Sequence, residues 1–168
     1  HYNMLSKDDV YSIIAYIRTL KPNDNKVPER KLFIPISLAY PPLRSSSLEN
    51  NVKPDVNDMV KYGEYVTNSA ACMDCHTPME NGQFVMPMYM AGGRNFDMGS
   101  FRVTTPNMFL DKFKIYREAA AYKTNPGKLN SIMPWVMYAN MEDFDIKAIY
   151  RYLRTLPAIN HKVEKYPK

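Results

Sequence analysis

The chain has 168 residues, enough for one ordinary domain with additional material. Its net charge is +5, but it lacks the Lys/Arg-rich run that marks a nucleic-acid patch. We therefore expect docking to acidic protein surfaces and no nucleic-acid binding. No apolar run reaches the roughly 18 residues that a membrane-spanning helix needs, so we expect no membrane span in this segment. Because the first residue is His and not Met, we expect position 1 to be a cut end.

The first predicted element is an amphipathic helix that the sequence repeats near its end. Residues 5–20 (LSKDDVYSIIAYIRTL) match residues 141–156 (MEDFDIKAIYRYLRTL), and both copies contain Tyr-x-Arg-Thr-Leu, which makes chance similarity a poor explanation. Ser6 followed by Asp9 resembles a capping box. A helical period predicts one apolar stripe on each copy: Val10, Ile13, Ile14 and Ile17 on the first, and Ile146, Ile149, Tyr150 and Leu153 on the second.

The repeat also predicts how the chain is divided. Since the second copy closes a domain, we expect residues 1–30 to be the C-terminal helix and tail of a preceding, truncated module. Residues 31–55 are rich in proline, which fixes φ and favours extended backbone, and they are predicted to be an extended linker. The complete domain is then predicted at residues 56–168.

That domain is predicted to begin with a helix at residues 56–70. Gly63 lowers helix propensity, so we expect another helix, the 143–156 helix, to approach closely there. The predicted inner face of the helix consists of Val56, Met59, Val60, Gly63 and Val66/Thr67. Three tyrosines are interpreted as aromatic residues that pack between helices, namely Tyr62, Tyr65 and Tyr152.

Both cysteines of the chain lie in the pentapeptide Cys72-Met73-Asp74-Cys75-His76. Two thiols three residues apart on a tight turn can form thioethers with the two vinyl groups of a haem, and CxxC followed directly by His is typical of c-type haem attachment. We predict one covalent haem c, bound through Cys72 and Cys75, with His76 as the proximal iron ligand. A thioredoxin-like site lacks its βαβ setting here, and a structural zinc site lacks enough further ligands.

The chain between the pentapeptide and the last helix is predicted to be loop-like at residues 77–107 and helical at about 109–122, followed by a stiff loop that contains Met133. Methionine thioether is a common sixth ligand of haem iron. Met133 precedes Pro134 and Trp135, at a point that would place it opposite a helix-borne histidine. It is our predicted distal ligand, and the alternatives are Met137 and the cluster Met86, Met88 and Met90.

Further predictions concern the surroundings of the haem. The second ring nitrogen of His76 is expected to donate to a backbone carbonyl, for which Pro87 is a candidate. Trp135, Tyr138 and Arg94 are candidates for contacts with the haem propionates, with ordinary packing as the alternative for each. His161 lies past the last helix and is expected to be a surface residue.

Four stretches of this sequence resemble the class I cytochrome c domain: GEYVTNSAACMDCHTP, AGGRNF, VTTPN and IMPWVMYANMEDFDIKAIYRYLRTLP. Modules of bacterial di-haem and multi-haem cytochromes, and cytochrome subunits of periplasmic dehydrogenases, are particularly similar. The resemblance covers residues 56–163 and implies an all-α fold, a small helical domain wrapped around one covalent haem that is ligated by His76 and Met133. Related modules often have N-I-T-P-D where this chain has Val103–Asn107.

The predicted ligand set indicates an electron carrier and not an enzyme. We expect one-electron transfer to redox protein partners, with a preceding haem module of the same polypeptide as the nearest one. Because c-type haem is attached outside the cytoplasm, we expect export to the periplasm, and any membrane association would lie in other parts of the protein. The alternative class is a haem peroxidase, or a gas-binding or sensor domain, with an open iron site. A third is a haem with a purely structural role.

Overall fold

The computed structural model describes residues 2–26, 28–29, 38, 49–99, 102–107, 132–138 and 140–164. The chain divides into two compact units, His1–Lys53 and Pro54–Lys168. The predicted third helix at 109–122 and most of the predicted linker lie outside the described residues. The assignment of residues 1–30 to a preceding module stays a prediction.

The first unit contains the first copy of the repeated helix, α1, at Lys7–Thr19. Ser6 caps it, accepting a hydrogen bond from the backbone N–H of Asp9 at 3.3 Å, which confirms the predicted start. The carboxylate of Asp9 also pairs with Lys53 at 3.1 Å. Three of the four residues in the predicted apolar stripe of α1 are exposed in this unit, among them Ile13 at 44% and Ile17 at 56%, whereas Val10 is half-buried.

The second unit is built on two crossed helices, α2 at Met59–Ser69 and α5 at Asp143–Leu153. A Cβ atom at Gly63 would collide with the Ala148 carbonyl and lie 3.0 Å from the Cβ of Tyr152. Only a residue without a side chain permits this approach, which confirms both the predicted role of Gly63 and its predicted partner helix.

The inner faces of α2 and α5 differ from those predicted. Val56, Val60 and Tyr150 are exposed, so their predicted inward positions are wrong. The buried residues are Tyr62, Gly63, Tyr65 and Thr67 on α2, and Ala148, Ile149, Tyr152 and Leu153 on α5. Tyrosine can be buried here because its hydroxyl finds a partner, as that of Tyr62 does by donating to Asp145 at 2.8 Å. The predicted packing role of the three tyrosines is therefore confirmed.

The predicted loop at 77–107 contains two short antiparallel hairpins. Strand β1 (Met79–Glu80) pairs with β2 (Gln83–Phe84) through a two-residue turn in which Asn81 and Gly82 both have positive φ. Strand β3 (Asn95–Asp97) pairs with β4 (Arg102–Thr104), with Phe96 opposite Val103.

The described part of the second unit also contains two short α-helices, α3 at Cys72–His76 and α4 at Trp135–Tyr138, and one turn of 3₁₀ helix at Met86–Met88. The architecture is thus helical with a few short strands, which is compatible with a cytochrome c-like domain. Within the described ranges, no helix is both long and apolar enough to cross a membrane.

Candidate haem site

The predicted attachment motif forms the one-turn helix α3, which follows α2 almost directly. Ala71, the second of the two residues between them, has a left-handed backbone with φ of 54°, so the chain turns sharply before Cys72. Residues three apart on a helical turn lie on the same face, which places the side chains of Cys72 and Cys75 on one side of α3. Both are free thiols; Cys72 is buried and Cys75 half-buried. This is the spacing that attachment to two neighbouring vinyl groups requires.

His76 closes the same turn and is 5% exposed. Its Nδ1 lies 2.9 Å from the carbonyl oxygen of Pro106. Because a carbonyl can only accept, Nδ1 carries the proton and Nε2 holds the free lone pair. Burial lowers the pKa of His76, and the hydrogen bond to Pro106 partly opposes this. The histidine is therefore held in its neutral, ligating form, with the carbonyl contact that metal-bound histidines usually make.

The carbonyl partner of His76 is Pro106, and the predicted partner Pro87 is wrong. Gly92 explains why Pro106 is the partner of His76. It lies between His76 and the Thr105–Asn107 segment, and it donates its N–H to the His76 carbonyl at 2.7 Å. Its φ is +72°, and a Cβ atom there would collide with the backbone of Pro106. Only glycine at position 92 lets the Thr105–Asn107 backbone come this close to His76.

The two thiols differ in environment. Cys72 belongs to an apolar cluster with Met90, Ile149, Tyr152 and Leu153, and burial raises the pKa of its thiol to about 12. Burial also raises the pKa of Cys75, but the nearby charge of Arg94 opposes the shift. Neither thiol has the low pKa of a redox-exchange cysteine. Among the described residues, no group of three His, Cys, Asp or Glu side chains could hold a metal ion.

Arg94, predicted to contact the cofactor, lies beside the attachment helix. One guanidinium nitrogen donates to the backbone carbonyl of Asp74, and the guanidinium lies over the ring of Phe96 at 5.1 Å. The Arg94 backbone is fixed to Thr105, whose side chain accepts from its N–H at 3.0 Å. The structure therefore places a positive charge at Cys75, while its contact with a propionate stays a prediction.

The segment of the predicted distal ligand is tied to the end of α2, two residues before the attachment helix. Tyr138 donates from its hydroxyl to the Ala70 carbonyl at 2.7 Å, so this hydroxyl bonds to backbone. Met133 is half-buried in the same segment. Among the alternative methionines, Met137 is 71% exposed, whereas Met90 is fully buried in the cluster with Cys72. The side chain of Trp135 lies outside what the structure describes, and its predicted contact stays a prediction.

Sequence reasoning missed the roles of Pro106, Asn107, Gly92 and His161. His161, expected to be a surface residue, is half-buried, since its Nδ1 donates to the Ala91 carbonyl at 3.1 Å and its ring lies against Gly93. Asn107 is 3% exposed and donates from its side chain to the carbonyl of Ile159. The adjacent glycines 92 and 93 were the available sequence signal, because paired glycines often mark a close backbone approach.

Comparison with known proteins identifies a relative among cytochromes. The chain is 30% identical to the fructose dehydrogenase cytochrome subunit of Gluconobacter japonicus over an aligned length of 179, and the alignment covers 94% of this chain and 36% of the relative. The chain thus spans about a third of that protein's length. No family model matches the chain. No solved structure matches it either.

This similarity supports a relationship to c-type cytochromes. Because the relative is a cytochrome subunit, the similarity supports a role in electron transport at a general level. It favours the role of an electron carrier over that of a catalyst. It also agrees with the residues described above, since two thiols and a neutral, carbonyl-bound histidine on one helical turn are a donor set that fits haem c.

Proposed function

We propose that this chain is a class I cytochrome c domain that carries one haem c and transfers single electrons. The observation that supports it most strongly is the position of His76, buried on the same turn as both cysteines with its Nδ1 bound to the Pro106 carbonyl. That bond leaves Nε2 as the ligating nitrogen. In this proposal Cys72 and Cys75 hold the haem through thioethers, and His76 is the proximal ligand.

The bound haem would supply a one-electron ferric/ferrous couple, and the protein residues would set its environment. The apolar cluster of Cys72, Met90, Ile149, Tyr152 and Leu153 would exclude water on one side of the site. Such burial favours the ferrous iron, because it carries less charge than ferric iron. Arg94 places a positive charge at the attachment helix, where it favours the added electron and can attract an acidic partner.

We assign the distal ligand to Met133. The hydrogen bond from Tyr138 to Ala70 supports this assignment, because it fixes the segment of Met133 near the start of the attachment helix. A thioether ligand raises the reduction potential and leaves no open iron position. That closed ligand set favours electron transfer over the peroxidase or gas-binding alternative.

The Met133→Ala variant tests the ligand assignment. We expect the haem to stay attached while the iron loses its sixth ligand. The weak Met–iron charge-transfer band of the oxidised protein should then disappear, and the reduction potential should fall. Met137→Ala is the matched control. Because Met137 is mostly exposed, its truncation should leave the charge-transfer band and the reduction potential unchanged. If Met133→Ala keeps the charge-transfer band, another methionine is the ligand and the assignment is wrong.

We further propose that the protein works in the periplasm, as a module of a multi-haem cytochrome or of a dehydrogenase cytochrome subunit. The similarity to a dehydrogenase cytochrome subunit supports this context, as does the exposed apolar face of α1. A preceding haem module of the same polypeptide would cover that face. Hydrogen exchange of α1 should then be slower in a longer form of the protein that includes residues before His1. Equal exchange in both forms would contradict the preceding module.

A further inference from the structure

The chain after α5 returns to the loop that holds His76. Residues 157–164 leave the end of α5, and three side-chain hydrogen bonds join them to residues 91 and 107. We call these bonds the tail clasp. The two side chains that make them, those of Asn107 and His161, have no part in haem attachment as proposed above.

Asn107 provides one half of the tail clasp. Its side-chain nitrogen donates to the Ile159 carbonyl at 3.0 Å and to the His161 carbonyl at 3.4 Å. Asn107 is 3% exposed, so these bonds are made in the protein interior, where losing a hydrogen bond is costly. Asn107 directly follows Pro106, so the tail fixes the peptide next to the carbonyl that His76 uses.

His161 provides the other half. Its Nδ1 donates to the Ala91 carbonyl at 3.1 Å, and its Cε1 would lie 2.6 Å from a Cβ atom at Gly93. Ala91 and Gly93 flank Gly92, whose N–H donates to the His76 carbonyl at 2.7 Å. His161 therefore holds the segment that contacts the backbone of His76.

The Asn107 bonds and the His161 bond of the tail clasp reach the same network of backbone hydrogen bonds. The Gly93 N–H donates to the Thr105 carbonyl at 2.8 Å, and the Thr105 N–H donates to the Arg94 carbonyl at 3.0 Å. Residues 91–94 and 105–107 are thus linked to each other, to His76 and to the tail. A shift of the tail would be transmitted to the Pro106 carbonyl through one hydrogen bond on the Asn107 side and through two on the His161 side.

We propose that Asn107 and His161 are positioning residues that, through the tail clasp, keep the Pro106 carbonyl on Nδ1 of His76 and so tune the reduction potential. This rests on the proposed function. A hydrogen bond from Nδ1 makes the imidazole a more basic ligand, which stabilises ferric iron. A weakened clasp lengthens that bond and raises the reduction potential.

Two neutral substitutions test the tail clasp in the full, haem-loaded chain. Asn107→Leu removes the donor at similar size, and His161→Phe keeps an aromatic ring on Gly93 without the donor. Asn160→Leu is the matched control, because Asn160 lies on the same tail and is exposed. Loss of an outer contact of a metal ligand typically changes metal affinity or activity by about 10–100-fold. Because Asn107 and His161 lie one step further away, we expect each substitution to shift the equilibrium between ferric and ferrous haem towards the ferrous form by about three- to tenfold. Tenfold corresponds to about 59 mV for one electron.

The second readout is exchange of the His76 Nδ1 proton with solvent, followed by proton NMR. It should accelerate in Asn107→Leu and His161→Phe and stay slow in Asn160→Leu. If both variants lose only unfolding free energy, with potential and Nδ1 exchange unchanged, the clasp is merely structural and the proposal is wrong. A lowered potential, or an equal effect in the control, also contradicts it.

Failure of the proposed function would be separately visible. A wild-type protein without covalent haem after export would contradict the cytochrome assignment. A haem-loaded wild-type protein whose potential and Nδ1 exchange are unchanged in both variants would instead contradict only the tail clasp.

Discussion

The two copies of the repeated helix, α1 and α5, have nearly the same sequence pattern and opposite surroundings. On α5 the buried face consists of Ala148, Ile149, Tyr152 and Leu153, which pack on α2. The matching residues of α1 are Ser12, Ile13, Tyr16 and Ile17, and all four are exposed. An amphipathic pattern thus predicts a helix in both places, but burial depends on whether a partner with a suitable glycine is present.

The polar contacts of the two copies differ in the same way. Asp145 of α5 accepts a hydrogen bond from the buried Tyr62, whereas its counterpart Asp9 pairs with Lys53 near the surface. The difference shows that packing on α2 is what buries one face of α5. Substitutions at matching positions of α1 and α5 should therefore have unequal effects.

The largest difference is expected between Ile149→Ala and Ile13→Ala. Removing the buried Ile149 side chain leaves a cavity and should lower the free energy of unfolding by about 3 kcal/mol. Ile13 is exposed, so its truncation should change that free energy by less than about 0.5 kcal/mol. Denaturant unfolding followed by circular dichroism measures both, and equal losses would contradict the unequal burial of the two helices.

The next effect concerns the crossing of α2 and α5. Gly63→Ala improves helix propensity but forces a Cβ atom onto the Ala148 carbonyl, and we expect a net loss of about 2 kcal/mol. Gly82→Ala is the control, because its Cβ meets nothing within 4 Å and only its positive φ costs about 1 kcal/mol. A Gly63→Ala protein more stable than wild type would mean that the helices do not cross at this residue.

The smallest single effect is expected at the polar contacts. Tyr62→Phe leaves the Asp145 carboxylate without its buried donor and should cost about 1.5 kcal/mol. Lys53→Met removes a half-exposed ion pair with Asp9 and should cost less than about 0.5 kcal/mol. Thermal unfolding of both variants measures the difference, which would be reversed if Asp9 were the more buried carboxylate.

The sequence predicted those features that depend on residue type at short range. Cys72, Cys75 and His76 are adjacent in the chain, so one turn of helix places them together. Gly63 marked the crossing of α2 and α5 because few other reasons favour glycine within a helix. The bounds of α1 followed from its period and from Ser6 at its start.

Features that depend on the path of the chain could not be predicted in this way. Every residue has a carbonyl, so nothing in residue type selects Pro106 over Pro87 as the partner of His76. The selection comes from the close approach at Gly92. The inner face of α2 was predicted to include Val56 and Val60, but both are exposed, because the chain turns Tyr62 inward and bonds its hydroxyl to Asp145 of α5.

The most direct test of the account is the absorption spectrum of the exported, dithionite-reduced protein, recorded before and after addition of carbon monoxide. The account predicts the α band of a c-type haem held by two thioethers and no change with carbon monoxide, because His76 and Met133 occupy both axial positions. The absence of that band would contradict the haem site at Cys72, Cys75 and His76. A spectrum that shifts with carbon monoxide would contradict the closed ligand set and favour the gas-binding or peroxidase class.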